Sequence, residues 1–161
     1  MSLLKSLAQN FASLVKAPAM KEGIKMVTKI SADPRAVNVI NNFLLALTIS
    51  NEAERIAAII PLVHKSLLIS NGQVTDLARE IKDFMYKKAV QNVKFYEYPS
   101  NVSQVQQGQA ITIGFKETAE TGRQDKYFIN KKTGVAGLPA PIIIFWPADG
   151  SGPKIVNFGS L

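Results

Sequence analysis

The hydrophobic pattern of the chain changes period near residue 92. Before that point apolar residues recur three and four apart, as on a helix face; beyond it they alternate, as on a strand. Ser2 to Lys16 is amphipathic, with Leu3, Leu7, Phe11 and Leu14 on one stripe, and Pro18 ends or bends it. Met20, Ile24, Val27 and Ile30 form a second, shorter helical seam. Asp33-Pro34 reads as a helix start, because Asp caps free N–H groups and Pro at the first helical position loses no donor. That helix is predicted over 34–48, with Val37, Ile40, Phe43, Leu44 and Leu47 on its apolar face. Asn51 and Glu54 have capping-box spacing, and a second helix is predicted over 52–60, closed by Pro61. Leu62–Ile69 fits a helical turn and a short strand equally. After the Asn71-Gly72 turn, Thr75 or Asp76 caps a third helix over 75–90, with Leu77, Ile81, Phe84 and Met85 buried.

Val93 to Tyr98 alternates and is predicted as a strand. Pro99 to Gly108 is polar and loop-like, although Val102 and Val105 are placed to extend a strand. Ile111, Ile113 and Phe115 define the next strand, Lys116–Arg123 a polar turn, and Asp125–Asn130 another strand. Lys131–Gly137 is a glycine-containing turn. The chain closes on PIIIFWPADGSGPKIVNF, two apolar runs around Asp149-Gly150 and Gly152-Pro153, which is hairpin chemistry. Ile142–Trp146 is apolar at every position, so this strand is expected to be covered on both faces. The fold class is therefore α+β: three helices packed on a curved antiparallel sheet over 33–161, preceded by an amphipathic basic helical arm, 1–32.

Composition narrows the chemistry. The chain has 161 residues, 47% apolar and 19% charged, a globular balance. It has no cysteine and one histidine, His64, which excludes thiolate nucleophiles, disulfides and any multi-histidine metal site within one chain. No metal and no cofactor is expected. Of the +7 net charge, +4 lies in residues 1–32. Lys21, Lys25 and Lys29 share one face of the arm without arginine or aromatic company, so nucleic acid is not the expected partner. Docking on protein is preferred for the arm over contact with a membrane surface. No run reaches the ~18 apolar residues of a membrane-spanning helix, and no continuous secretory apolar stretch is present. A cytoplasmic location is expected.

The helix 33–48 followed directly by a short helix, the helix 75–90 running into a strand, and the meander 110–158 resemble the nuclear transport factor 2-like superfamily, which includes SnoaL-like proteins and ketosteroid isomerases. The resemblance covers residues 33–161 and is one of element order and length. It implies a cystatin-like, cone-shaped barrel with a pocket at the open end, and dimerisation through the outer sheet face. Isomerase members use a strand carboxylate as base and a tyrosine with a protonated acid as oxyanion hole. Here the strand acids are Glu97 and Asp125, with Tyr86 and Tyr98 as candidate donors, but none aligns to a catalytic motif. Arg123 and Lys126 beside Asp125 favour an ionised, solvated carboxylate.

The candidate ligand-binding residues are His64, Tyr86, Tyr96, Tyr98, Asp125 and Trp146. For His64 the simpler reading is a partly exposed or hydrogen-bonded structural histidine, and for Trp146 it is core or dimer packing. Tyr96 and Tyr98 share one face of the predicted strand, lining either an interface or the pocket. Two functions are in view. One is a non-catalytic binding protein, holding a small apolar ligand or a partner segment in an apolar pocket. The other is a small acid–base enzyme of isomerase, dehydratase or cyclase type, using Glu97 or Asp125 with His64 or a tyrosine. Binding is preferred, with assembly as a homodimer.

Overall fold

Asp33 and Pro34 open α1 (Pro34–Leu47) in the computed structural model of the chain, which describes residues 28–115 and 118–161. Asp33 Oδ1 accepts from Arg35 N at 2.8 Å, the predicted cap. Asn51 Oδ1 accepts from Glu54 N at 2.9 Å and opens α2 (Glu52–Ile59). Short 3-10 turns at Ile60–Leu62 and Lys65–Leu67 follow, so the ambiguous stretch Leu62–Ile69 resolves into turns and the start of a strand.

The third helix departs from expectation. Residues Leu68–Asn71 (β2) and Val74–Leu77 (β3) form a separate hairpin around Gly72, whose φ is 67°. Thr75 and Asp76 are strand residues, not caps: Thr75 Oγ1 lies 3.1 Å from Ser70 Oγ, and Asp76 accepts from Leu77 N and Lys82 Nζ. The helix that follows is a π segment, Ile81–Tyr86, running into α3, Lys87–Asn92. Bonding of i to i+5 widens the turn and carries residues off the face that a 3.6-residue period assigns. Phe84, expected inside, is 75% exposed.

The predicted strand Val93–Tyr98 is not a strand. Val93–Phe95 is a 3-10 turn, and only Tyr96 bridges to the sheet, opposite Lys131. Tyr96 is buried and Tyr98 exposed, so they share no face. Alternation alone cannot distinguish a strand from a chain that tucks one aromatic ring inward.

The main sheet is antiparallel, in the order β1-β4-β5-β6-β7: Thr28–Ile30, Val102–Phe115, Thr118–Ile129, Ala140–Pro147 and Lys154–Asn157. The stretch assigned to a loop, Pro99–Gly108, is largely strand from Val102 on. The expected turn Lys116–Arg123 is β5 from Thr118 on. β1 contains Ile30, which the helical seam claimed; the arm's other apolar positions, and residues 116 and 117, lie outside the described residues. Among the described residues the fold is thus α+β, with three α-helices and a sheet that does not close.

One sheet face packs on α1. Asp125 and Tyr127 of β5 pair with Ile144 and Ile142 of β6, and all four side chains are buried. Phe43 of α1 meets Phe158 with ring centroids 4.7 Å apart. Removing either ring should cost about 3–5 kcal/mol, the usual range for a buried Phe→Ala change. The closing hairpin β6–β7 forms as predicted, but β6 is covered unevenly: Ala140, Ile142 and Ile144 are buried on the α1 face, whereas on the other face Phe145 is buried and Pro141, Ile143 and Pro147 are half-buried. Phe145, on the face away from α1, is covered by His64 edge-on at 5.2 Å. His64 thereby covers one apolar residue, Phe145, of the face through which a face-to-face dimer was expected.

Candidate functional site

His64 is placed by the break after α2. Val63 bridges Ile155 in parallel, and His64 N donates to Ile155 O at 2.8 Å, which fastens the segment to the edge of β7. The ring is 3% exposed, so of the two expectations, partial exposure or a hydrogen-bonded structural role, it meets the second. Ser66 N donates to His64 Nδ1 at 3.0 Å, and Ser66 Oγ lies 2.8 Å from the same nitrogen. A nitrogen that accepts carries no proton, so the neutral ring holds its proton on Nε2 and donates it to Glu120 Oε2 at 3.2 Å. Lys65 Nζ pairs with the other carboxylate oxygen. The Lys65 hydrogen bond holds the Glu120 carboxyl below the usual carboxylate range; burial opposes this, and His64 adds to the lowering. The cluster borders a cavity of about 290 Å³ between Ile60, Leu68, Pro147 and Lys154.

Asp125 lies on the opposite face of β5 from Glu120, as odd and even strand positions must. It is 0% exposed, where a solvated carboxylate was expected. Arg123 Nε donates to Oδ1 and Nη2 to Oδ2, both at 2.9 Å, and Gly108 N donates to Oδ1 at 3.2 Å. Its charged neighbour supplies the solvation that water would have given. Gly108 sits in a bulge of β4, between Gln107 and Ala110, and a Cβ there would stand 1.8 Å from Gln124 O. Trp146 lies next to this pair, with Arg35 at 5.0 Å and Arg123 at 5.9 Å from its ring centroid. Its indole nitrogen is buried without a hydrogen-bond partner among the described residues.

The tyrosines are dispersed. Arg55 Nε donates to the Tyr86 hydroxyl at 2.7 Å, and Tyr96 OH reaches Ser160 O at 3.5 Å. Burial raises the Tyr96 hydroxyl above the usual tyrosine range. Glu97 accepts from Thr133 N at 3.2 Å. Asp125 and Trp146 are therefore brought together; His64, Tyr86, Tyr96 and Tyr98 are each elsewhere. Glu120 and Lys65, the partners of His64, were missed because Glu120 fell in an assigned turn. Missed too was a groove of about 480 Å³ lined by Phe84 and Met85 of the π segment with Lys87, Lys88 and Gly159.

Among the described residues, no group of three or more His, Asp or Glu is placed to hold a metal, and no helix is long and apolar enough to cross a membrane. No protein-family model, no curated protein and no solved structure matches the chain.

Proposed function

We propose that this chain is a non-catalytic binding domain of the nuclear transport factor 2-like type, its sheet curled as a cystatin-like cone around α1. Element order supports the fold reading: two helices, a hairpin, a helix, then a four-stranded meander. The observation that carries binding over turnover is that the candidate acids and bases are already engaged. Both nitrogens of His64, both carboxylate oxygens of Asp125, one oxygen of Glu97 and the Tyr86 hydroxyl are held by protein groups. A general base needs a free acceptor within reach of a substrate proton.

The ligand is a small apolar molecule, seated in the groove where Phe84 and Met85 meet Gly159. Fluorescence titration with 1-anilinonaphthalene-8-sulfonate tests this, because its emission rises in apolar surroundings. Saturable binding should weaken about tenfold or more in Phe84→Ser, roughly the loss from withdrawing one ring from contact, with the melting temperature unchanged. Absence of saturable binding, or equal binding by the variant, refutes the reading.

A second reading, an acid–base enzyme, rests on the His64–Glu120 pair at the edge of the 290 Å³ cavity. Buried histidine–carboxylate pairs in clefts occur at catalytic sites and in structural networks alike.

A further inference from the structure

The β4–β5 hairpin extends beyond the rest of its sheet. β1 pairs with β4 only from Val105 to Gln107, and β6 pairs with β5 only from Gly122 to Ile129. Past those points β4 and β5 have each other as strand partners, through Phe115 and Thr118. On the β5 side this ribbon is fastened to the body, by Glu120 to His64 and Lys65, and by Ala148 N donating to Thr121 O at 2.8 Å. On the β4 side, Gly108 to Phe115 has no strand partner among the described residues, an edge about 25 Å long at ~3.3 Å per residue.

This edge lacks the usual protection. Exposed edges are ordinarily blunted by Lys, by Pro or by inward-pointing charge. β4 reads VSQVQQGQAITIGF, with no charged residue and no proline. The bulge at Gly108 lies at one end of the free stretch and leaves Ala110 to Phe115 in unbroken register with β5. An uncharged row of N–H and C=O groups without a strand partner among the described residues, with β-branched Ile111, Thr112 and Ile113 at its centre, is a template for another strand.

We infer that this edge pairs with the same edge of a second copy, antiparallel about a two-fold axis at Thr112. Self-complementarity favours a second copy over an unrelated strand. With Thr112 facing Thr112 of the partner subunit, each Ile111 opposes an Ile113 and each Ala110 a Gly114. Such β-branched pairs stabilise antiparallel ladders, and a two-fold interface requires this reciprocity. Charge does not oppose it locally. Two chains of +7 repel, but β4 carries no charged residue and so adds no like-charge pair across the two-fold axis. The product is one continuous sheet through both copies, distinct from a dimer packed face to face.

Thr112 is exposed and its hydroxyl lies 3.3 Å from Thr121 Oγ1, so each variant is first required to melt cooperatively near the wild-type temperature, which separates loss of the interface from loss of the fold. Light scattering on the full chain at about 50 μM should give twice 17.6 kDa. Thr112→Lys places two ammonium groups opposite each other and should give 17.6 kDa. Thr112→Glu alone should also be monomeric, and an equimolar mixture of the Lys and Glu variants should recover the double mass. The chain has no cysteine, so Thr112→Cys should form a disulfide-linked dimer on mild oxidation, with nothing else to cross-link. A monomeric wild-type chain overturns the proposal, as it would if residues before Thr28 or another protein's strand occupied this edge. A dimer unaffected by Thr112→Lys overturns it too.

Discussion

Asp125→Ala removes three accepted hydrogen bonds at once, and its cost can be worked from their surroundings. The Gly108 N–H is part-buried in the bulge and loses its acceptor; an unsatisfied buried donor costs about 1–3 kcal/mol. Arg123 loses its partner, but its side chain is 38% exposed and can turn to water, so only about 1 kcal/mol is assigned to it, well below the penalty for a fully buried charge. The expected loss is about 3 kcal/mol, a large part of the roughly 5–15 kcal/mol that holds a domain together. It should appear as a fall in melting temperature of about 6–12 °C for a chain of this length.

The opposite substitution separates anchoring from other roles. Arg123→Met leaves the Asp125 carboxylate buried, with Gly108 N as its one remaining hydrogen-bond donor among the described residues. Its cost should exceed that of Asp125→Ala, near the 3–5 kcal/mol of a broken buried pair. Urea denaturation of both variants measures this directly through midpoint and slope. A loss below about 1 kcal/mol for Asp125→Ala, or a milder effect from Arg123→Met, would refute the assignment of this pair as an anchor of the bulge.

Two further outcomes are expected. Gly122→Ala puts a Cβ 2.3 Å from Trp146 O and 2.6 Å from the Phe145 ring, and should cost about 3 kcal/mol through overpacking, read by the same denaturation; a neutral substitution would mean that the β5–β6 approach is looser than described. Glu120 has its carboxyl below the ordinary carboxylate value in the folded chain, so its stabilisation is complete above the unfolded value and is lost as pH falls through the folded one. The stability difference between wild type and Glu120→Gln, measured by urea titration from pH 7 to pH 3, should therefore shrink toward acid; a constant or growing difference would contradict the Lys65–Glu120–His64 arrangement.

Helix starts and the closing hairpin were legible because the chemistry that sets them is local. Asp33-Pro34, Asn51 with Glu54, and Asp149-Gly150 each specify a backbone state within four residues, and each stands where its sequence puts it. What was not legible depended on partners distant in sequence. Thr75 and Asp76 suit a helix cap and a strand equally, and pairing with Ser70 and Ile69 decided for the strand. Val102–Gly108 is as polar as a loop, yet its backbone is paired on both sides from Val105 to Gln107. Lys116–Arg123 is polar at most positions and contains Gly122, and Thr118–Arg123 is nonetheless strand, opposite Ala110–Phe115. Exposure was misjudged for the same reason. His64 is next to Lys65 in sequence but next to Phe145 and Glu120 in space, and Asp125 is buried because Arg123, two residues away on the same face, turns back onto it.

Asp125 and His64 invite a catalytic reading because an isolated acid and a sole histidine are what a search for chemistry selects. Their positions also give each a mechanical role. Asp125 fastens the bulge at Gly108 from the α1 side of the sheet, and His64 with Lys65 fastens Glu120 from the other side. The two anchors grip the β4–β5 ribbon from opposite faces of β5, on either side of Gly122, whose lack of a Cβ lets β6 close against it. A substitution at either anchor would loosen the ribbon, and with it the edge at Thr112. Loss of any activity on changing His64 or Asp125 is therefore not evidence of proton transfer by itself. Catalysis would be indicated only by a loss that persists under conditions where the variant remains folded and keeps its native mass, and that rises or falls with the titration of the substituted group.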